Sequence, residues 1–141
     1  MGEDGQGWTV EDLLASGFPV LAPWGPSLEV KGEIQFQEAL ERASGGKTVE
    51  GHHLPVVATL VAQPANPQDP NAVEVHLGED LVGYINREDA ARWSPVLLAL
   101  HARAGVLVSC HATIVGGWRR DGDEGHFGIW LNICPPERLP F

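Results

Sequence analysis

Asn66-Pro67-Gln68-Asp69-Pro70-Asn71-Ala72-Val73-Glu74-Val75, with Val82-Gly83-Tyr84-Ile85 shortly after it, is the stretch that decides the fold of this chain. Proline presets φ at the second position of a turn, and an Asx side chain before it bonds the local backbone. Asn66-Pro67 and Asp69-Pro70 therefore predict two consecutive β-turns. Those turns hold one carboxylate, that of Asp69, in a fixed direction. The period then changes. Val73, Val75 and Leu77 alternate with Glu74 and His76, the pattern of a strand with one buried face, and Gly78-Glu79-Asp80 turns the chain into a second strand at Leu81–Ile85. The residues by themselves predict a small β domain with a structured polar loop.

Outward from this hairpin, Leu28–Glu33 reads as a first strand that leads through Ile34-Gln35-Phe36 into a helix over Gln37–Ser44, with Phe36, Leu40 and Ala43 on one face and Gly45-Gly46 as its stop. Thr48–His53 is a polar connection. Leu54–Ala62 is apolar at both parities, which predicts a strand covered on both faces. Arg87-Glu88-Asp89 opens a helix with acids in its first turn, where the helix dipole favours them. Ser94-Pro95 reads as a second helix start, with Ser as N-cap and Pro at the first helical position, and that helix ends at Gly105. Val106–Val115 and Phe127–Ile133 form the last strand pair, joined by a polar, glycine-rich loop at 116–125 expected to be mobile, and Pro135-Pro136 ends it.

Length and composition bound the answer. A chain of 141 residues closes one hydrophobic core unaided, and 17 Gly and 11 Pro suit short strands joined by turns better than a long bundle. The domain is expected at 27–134, after an acidic extension at 1–26 and before a tail at 135–141. The extension reads as a disordered start, a short helix capped by Thr9 and ended by Gly17, and then Pro19, Pro23, Gly25 and Pro26, which oppose regular structure. Cys110 and Cys134 show no CxxC or Cys/His spacing, so they read as reduced buried thiols, with a bridge between strands as the alternative. The first residues lack the basic and apolar regions of a secretory signal, and no apolar run approaches a membrane span, so a cytoplasmic protein with no membrane contact is expected.

The six histidines show no HExxH spacing, and there is no P-loop, GxSxG elbow or Cys/His pair. Neither metal, cofactor nor catalysis is expected. A metal-dependent hydrolase would require groups such as His76, His111 and Asp69 to converge. The net charge of −10 opposes long-range attraction to a polyanion. Glu3, Asp4, Glu11, Asp12 and Glu29 fall in the first 29 residues, which hold no Lys or Arg, so much of the imbalance belongs to the extension.

The order Gly32-Glu33, a strand at Val56–Val61, Asn66-Pro67-x-Asp69-x-Asn71-Ala72-Val73-x-Val75, and Val82-Gly83-Tyr84-Ile85 ahead of a charged helix start resembles the HIRAN family over residues 27–133, in a stand-alone, bacterial-type form. The resemblance implies a mainly β fold with two helices: a modified OB-like β-barrel of six strands. It implies a non-catalytic nucleic-acid-binding module acting in DNA processing or repair beside an enzyme partner. In members attached to replication-fork ATPases, it further implies capture of the 3′-hydroxyl end of single-stranded DNA.

The resemblance puts Asp69 where such members hold the terminal hydroxyl, although a turn acceptor that only stabilises the loop suits the residue equally. Asn66, Pro67, Pro70, Asn71 and Gly83 are expected to shape the backbone. Tyr84 and Arg87 match polar and basic positions that contact nucleic acid, and Arg87 suits a surface pair with Glu88, Asp89 or Glu74 as well. Phe36 and Phe127 match aromatic positions, the latter one that stacks on a base. Phe36 also fits the apolar face of a helix, and Phe127 shares its parity with Ile129, Leu131 and Ile133, which favours the core. Trp118-Arg119-Arg120 adds an aromatic and two cations nearby. Ile34, Gln35 and Gln68 depart from the basic and aromatic residues of the DNA-binding members, and a missing platform forgoes roughly 1–3 kcal/mol per stacked base. These departures and the acidic balance support a second reading, a protein-interaction adaptor that kept the barrel and lost the nucleic-acid site. A continuous positive groove joining Arg87, Arg119 and Arg120 past Asp69 would separate the two. An acidic extension can also imitate nucleic acid, so truncation before Ser27 is expected to raise oligonucleotide binding.

Overall fold

The computed structural model describes residues 20–21, 28–105 and 107–133; the short helix expected after Thr9, Cys134 and the tail at 135–141 lie outside the described residues. The elements are β1 (Val20–Leu21), β2 (Leu28–Glu29), a 3-10 turn (Glu33–Phe36), α1 (Gln37–Ser44), β3 (His52–Ala62), β4 (Val73–Leu77), β5 (Asp80–Tyr84), α2 (Arg87–Ala104), β6 (Val108–Gly116), β7 (Arg119–Arg120), β8 (Asp123–Glu124) and β9 (Phe127–Asn132). Six strands in the order β2-β9-β6-β3-β4-β5 make one curled antiparallel sheet.

The chain just after β2 draws the two edges of that sheet together. Val30 N–H donates to the Ile129 carbonyl at 3.1 Å, while Lys31 exchanges both main-chain bonds with Tyr84, at 2.7 and 2.9 Å. One short tract thus pairs with β9 on one side and β5 on the other, which leaves few open edge groups. Gly83 permits the closure: a Cβ there would lie 2.4 Å from Val30 Cγ1 and 2.7 Å from the Lys31 carbonyl oxygen. A bulge where the β4–β5 register shifts lets Val82 and Gly83 both be buried. The fold is the expected mainly β, OB-like barrel with two helices.

The core follows strand parity. Val108, Cys110, Ala112 and Ile114 of β6 meet Phe127, Ile129 and Leu131 of β9, all 2% exposed or less. Ala90, Trp93, Leu97 and Leu100 of α2, spaced at three and four residues, are 5% exposed or less and cap this core, and Ala39 and Leu40 of α1 close it elsewhere. By area bookkeeping each large buried side chain stabilises the fold by about 1.5–3 kcal/mol.

Five expectations need correction. β3 is not covered on both faces: its residues alternate, with Ala58 and Leu60 buried and Val57 47% exposed, because the long strand turns one face outward. The helix does not restart at Ser94-Pro95. α2 runs through Pro95 without a break, since burial of Trp93 and Leu97 on either side outweighs the missing N–H of the proline. Despite the neighbouring prolines, Val20 and Leu21 pair in parallel with Ser109 and Cys110, taking the β6 edge where the β9 ladder ends at His111. The polar loop at 116–125 is a built hairpin: Arg119 pairs with Glu124, Thr48 bridges Trp118, and Asp121 and Gly122 turn the chain at φ of 53 and 77. Lys47 at 2.7 Å, with Arg119 beside it, holds the Glu124 carboxyl below the usual carboxylate range. Ala43, expected on the inner face of α1, is exposed, and Ala39 takes that place.

Candidate nucleic-acid interface

The loop between β3 and β4 is a series of proline-led turns. Asn66 N–H donates to the Gln63 carbonyl at 3.1 Å across Pro64, and Ala72 N–H donates to the Asp69 carbonyl at 3.0 Å across Pro70. Between them, the turn at Pro67 is closed by a side chain: Asn66 Oδ1 accepts the N–H groups of Gln68 and Asp69 at 2.9 and 3.3 Å. Gln63 N–H donates to the Ala72 carbonyl at 2.8 Å and fastens the base of the loop. The side chain of Asn66 closes the turn at Pro67 and a main-chain bond closes the turn at Pro70, whereas Asn71 takes part through its main-chain N–H.

Asp69 has two oxygens with different surroundings. Oδ1 accepts the Asn71 N–H at 2.9 Å, as a turn acceptor does, and Oδ2 lies 3.7 Å from Arg87 Nε. The Asp69 side chain is 20% exposed and the Arg87 side chain 79%. Arg87 is therefore a cation on a solvated arm, and the ion pair at this exposure contributes about 1 kcal/mol or less.

These two residues sit in a surface groove of about 510 Å³. Asn66, Gln68, Asp69 and Ala72 line one wall, Tyr84, Ile85, Asn86 and Arg87 another, and Lys31 and Gln35 complete it. Two cations and one anion make the lining net positive by one, on a chain of net charge −10. Lys31 is engaged by Glu29 at 3.1 Å and still 56% exposed. Asn86 caps α2, its Oδ1 accepting the Asp89 N–H at 2.9 Å. Tyr84 is partly exposed, with Phe36 behind it at 6.4 Å between ring centroids and a tilt of 56°.

Glu33 lies beside this groove, between Lys31 and Gln35 in sequence. Its Oε2 is buried with no hydrogen-bond partner among the described residues. Burial pushes its carboxyl above the usual range, aided by Glu29, while a backbone hydrogen bond and Lys31 pull the other way.

Phe127, Arg119 and Arg120 are not brought to the groove. Phe127 is 2% exposed, its ring packed over Gly117 and 5.3 Å from His52, and Gln37 holds its main chain through both N–H and C=O. It fills the barrel, as its parity favours, and offers no open face to a base in this structure. Arg119 donates to Glu124, and Arg120 donates to the Val49 carbonyl at 2.7 Å with its guanidinium 4.5 Å from the Trp118 ring centroid. Their hairpin adjoins the start of β3, whereas Asp69 follows its end, roughly 30 Å along the strand. The continuous positive groove through Arg87, Arg119 and Arg120 does not form.

Sequence reasoning missed Lys31 and Asn86 as groove residues. Asn86 with Asp89 three positions on carries a helix-start signal, but nothing local to Lys31 points across the barrel to Tyr84. Among the described residues no three His, Cys, Asp or Glu groups gather to hold a metal, and His76 Nε2 lies 2.8 Å from Glu74 Oε1. No helix among them is long and apolar enough to cross a membrane.

Compared with known protein families, residues 38–124 match the HIRAN domain, more than half of the chain. The matched stretch contains the Asn66–Asn71 loop, Tyr84 and Arg87, and leaves Lys31, Phe36 and Phe127 outside. No curated protein and no solved structure matches the chain.

Proposed function

The chain belongs to the HIRAN domain family, known for single-stranded DNA binding by modules that are generally not catalytic on their own, and from this premise we propose that its groove takes the 3′-hydroxyl end of a DNA strand. The observation that carries the reading is the pairing of Asp69 and Arg87 at 3.7 Å in an open groove. A strand terminus presents a hydroxyl donor close to a phosphate, and the groove presents an acceptor close to a guanidinium. Asp69 Oδ2 accepts the hydroxyl, and the exposed Arg87 swings from the carboxylate to the phosphate with Lys31 as second cation. The partly exposed Tyr84, backed by Phe36, gives the terminal base a surface. Arg119, Arg120 and Phe127 have no part in this site. Recruitment of a DNA-processing enzyme gives the binding its effect.

Fluorescence anisotropy at low salt tests this with one strand carrying either a free or a phosphorylated 3′ end. Wild type is expected to prefer the free hydroxyl. Asp69→Ala is expected to lose the preference, and Asp69→Asn, which keeps an oxygen for the Asn71 N–H, to lose it with the loop intact.

One observation favours the adaptor reading: Gln35 and Gln68 occupy the groove without a stacking face, and Ile34 beside them is 56% exposed. Absence of binding to either strand would move the assignment there.

A further inference from the structure

Closure of the barrel leaves a stretch of β3 edge open. β3 pairs with β6 from His52 to Leu60 but with β4 only from Thr59 to Ala62, and neither register shifts. Main-chain groups of successive strand residues point alternately to the two neighbours. Gln63 N–H donates to the Ala72 carbonyl on the β4 side, so Thr59 and Val61 face that side too, and beyond the end of β4 so do Val57, Pro55 and His53. Among the described residues no strand pairs with that edge, and no main-chain bond takes the N–H groups of His53 and Val57 or the carbonyls of all three.

The side chains leave the edge accessible. Leu54 and Val56 point toward the core yet are only half-buried, and on the other face Val57 is 47% exposed beside exposed His53 and Pro55. β3 and β6 hold no Asp, Glu, Lys or Arg, in a chain of which 20% is charged. An unpaired edge without charges is a template for another strand.

The chemistry of the edge specifies its occupant. A row of N–H and C=O groups is complemented by an extended main chain, and apolar residues on both faces are complemented by uncharged side chains at alternate positions. A strand with no Lys or Arg offers nothing to a phosphate backbone. A second copy is opposed twice over. The two-fold antiparallel pairing of His53 with Val57 sets Pro55 against Pro55, two carbonyls with no N–H between them, and each copy carries a net charge of −10.

We propose that β3 from His53 to Val57 is a strand-addition site for an extended, uncharged, apolar segment of a partner protein, over a length of about 17 Å. The edge shares no residue with the Asp69 groove, so the site stands whether or not that groove binds DNA.

Amide hydrogen exchange on the intact, isotope-labelled chain tests this. The probe is a synthetic peptide of alternating threonine and valine, N-methylated at the threonines so that it keeps one bonding edge and does not pair with itself. In the free chain the His53 and Val57 amides are expected to exchange fast. With peptide near millimolar they are expected to slow about tenfold or more, while the Leu54 and Val56 amides, which face β6, stay as they were. Val57→Pro removes one donor at no cost to the β6 ladder and is expected to weaken peptide binding about tenfold. Pro55→Ala adds a donor and is expected to strengthen it about fivefold, as one more hydrogen bond does. Millimolar peptide that leaves both amides unprotected overturns the proposal. Slow exchange of both amides in the free chain at every concentration overturns it too, since the edge is then covered from within, and slowing that grows with protein concentration overturns it in favour of a second copy.

Discussion

Asp69 uses its two oxygens differently: Oδ1 closes a turn with Asn71, and Oδ2 faces Arg87 in the groove. Local chemistry makes the turn legible, because every partner lies within a few residues. The meeting with Arg87 is not, because it depends on how the β4–β5 hairpin returns the chain. Gly83 is similar, a glycine whose reason is the approach of Val30. Gly83→Ala should therefore destabilise by about 3 kcal/mol, or prevent closure altogether, as measured by urea unfolding. Glu33 provides a pH test. Its carboxyl is raised in the folded state, so the folded protein binds protons more readily, and this contribution to stability is present at low pH and lost as pH rises through the folded value. Glu33→Gln is expected to raise the melting temperature at pH 7 by a few degrees, with the gain shrinking toward pH 4. An unchanged difference at both pH values would contradict the burial of that charge.

Among the elements, α2 shows where local signals mislead. Ser94-Pro95 has the chemistry of a helix start, yet Ser94 is 2% exposed inside a continuous helix, because Ala90, Trp93, Leu97 and Leu100 pack as one stripe. The gain from those contacts exceeds the cost of one missing hydrogen bond. Pro95 is exposed and makes no part of that stripe, so Pro95→Ala should restore the bond to Ala91 and stabilise the protein by about 1–3 kcal/mol in chemical denaturation. α1, by contrast, was legible to its bounds: Gln37–Ser44, stopped by Gly45 in the left-handed region at φ 89. The β4–β5 hairpin was nearly so, its two strands joined through Gly78 at φ 61.

For the whole molecule, a net charge of −10 opposes a nucleic acid while Lys31 and Arg87 bring two exposed cations to one groove. Two cations meeting phosphates predict a slope of about −1.4 for log affinity against log salt on single strands, reduced by about 0.7 in Arg87→Ala or Lys31→Ala. Arg119→Ala and Arg120→Ala should leave the slope unchanged, and a loss of slope in either would show that the hairpin belongs to the site after all. The proline turns and the parity of β4 and β9 were legible in the sequence alone, since each rests on spacing within a few residues, and the ordered motifs carried the family resemblance, whereas Phe127 was left between core and base platform and β3 was misread. Only the tertiary structure decided that Lys31 meets Tyr84, that Asp69 meets Arg87 and that the Arg119–Arg120 hairpin stands apart from both. Those outcomes depend on where a curled sheet closes, and closure is set by packing between residues far apart in the chain, which no local pattern encodes.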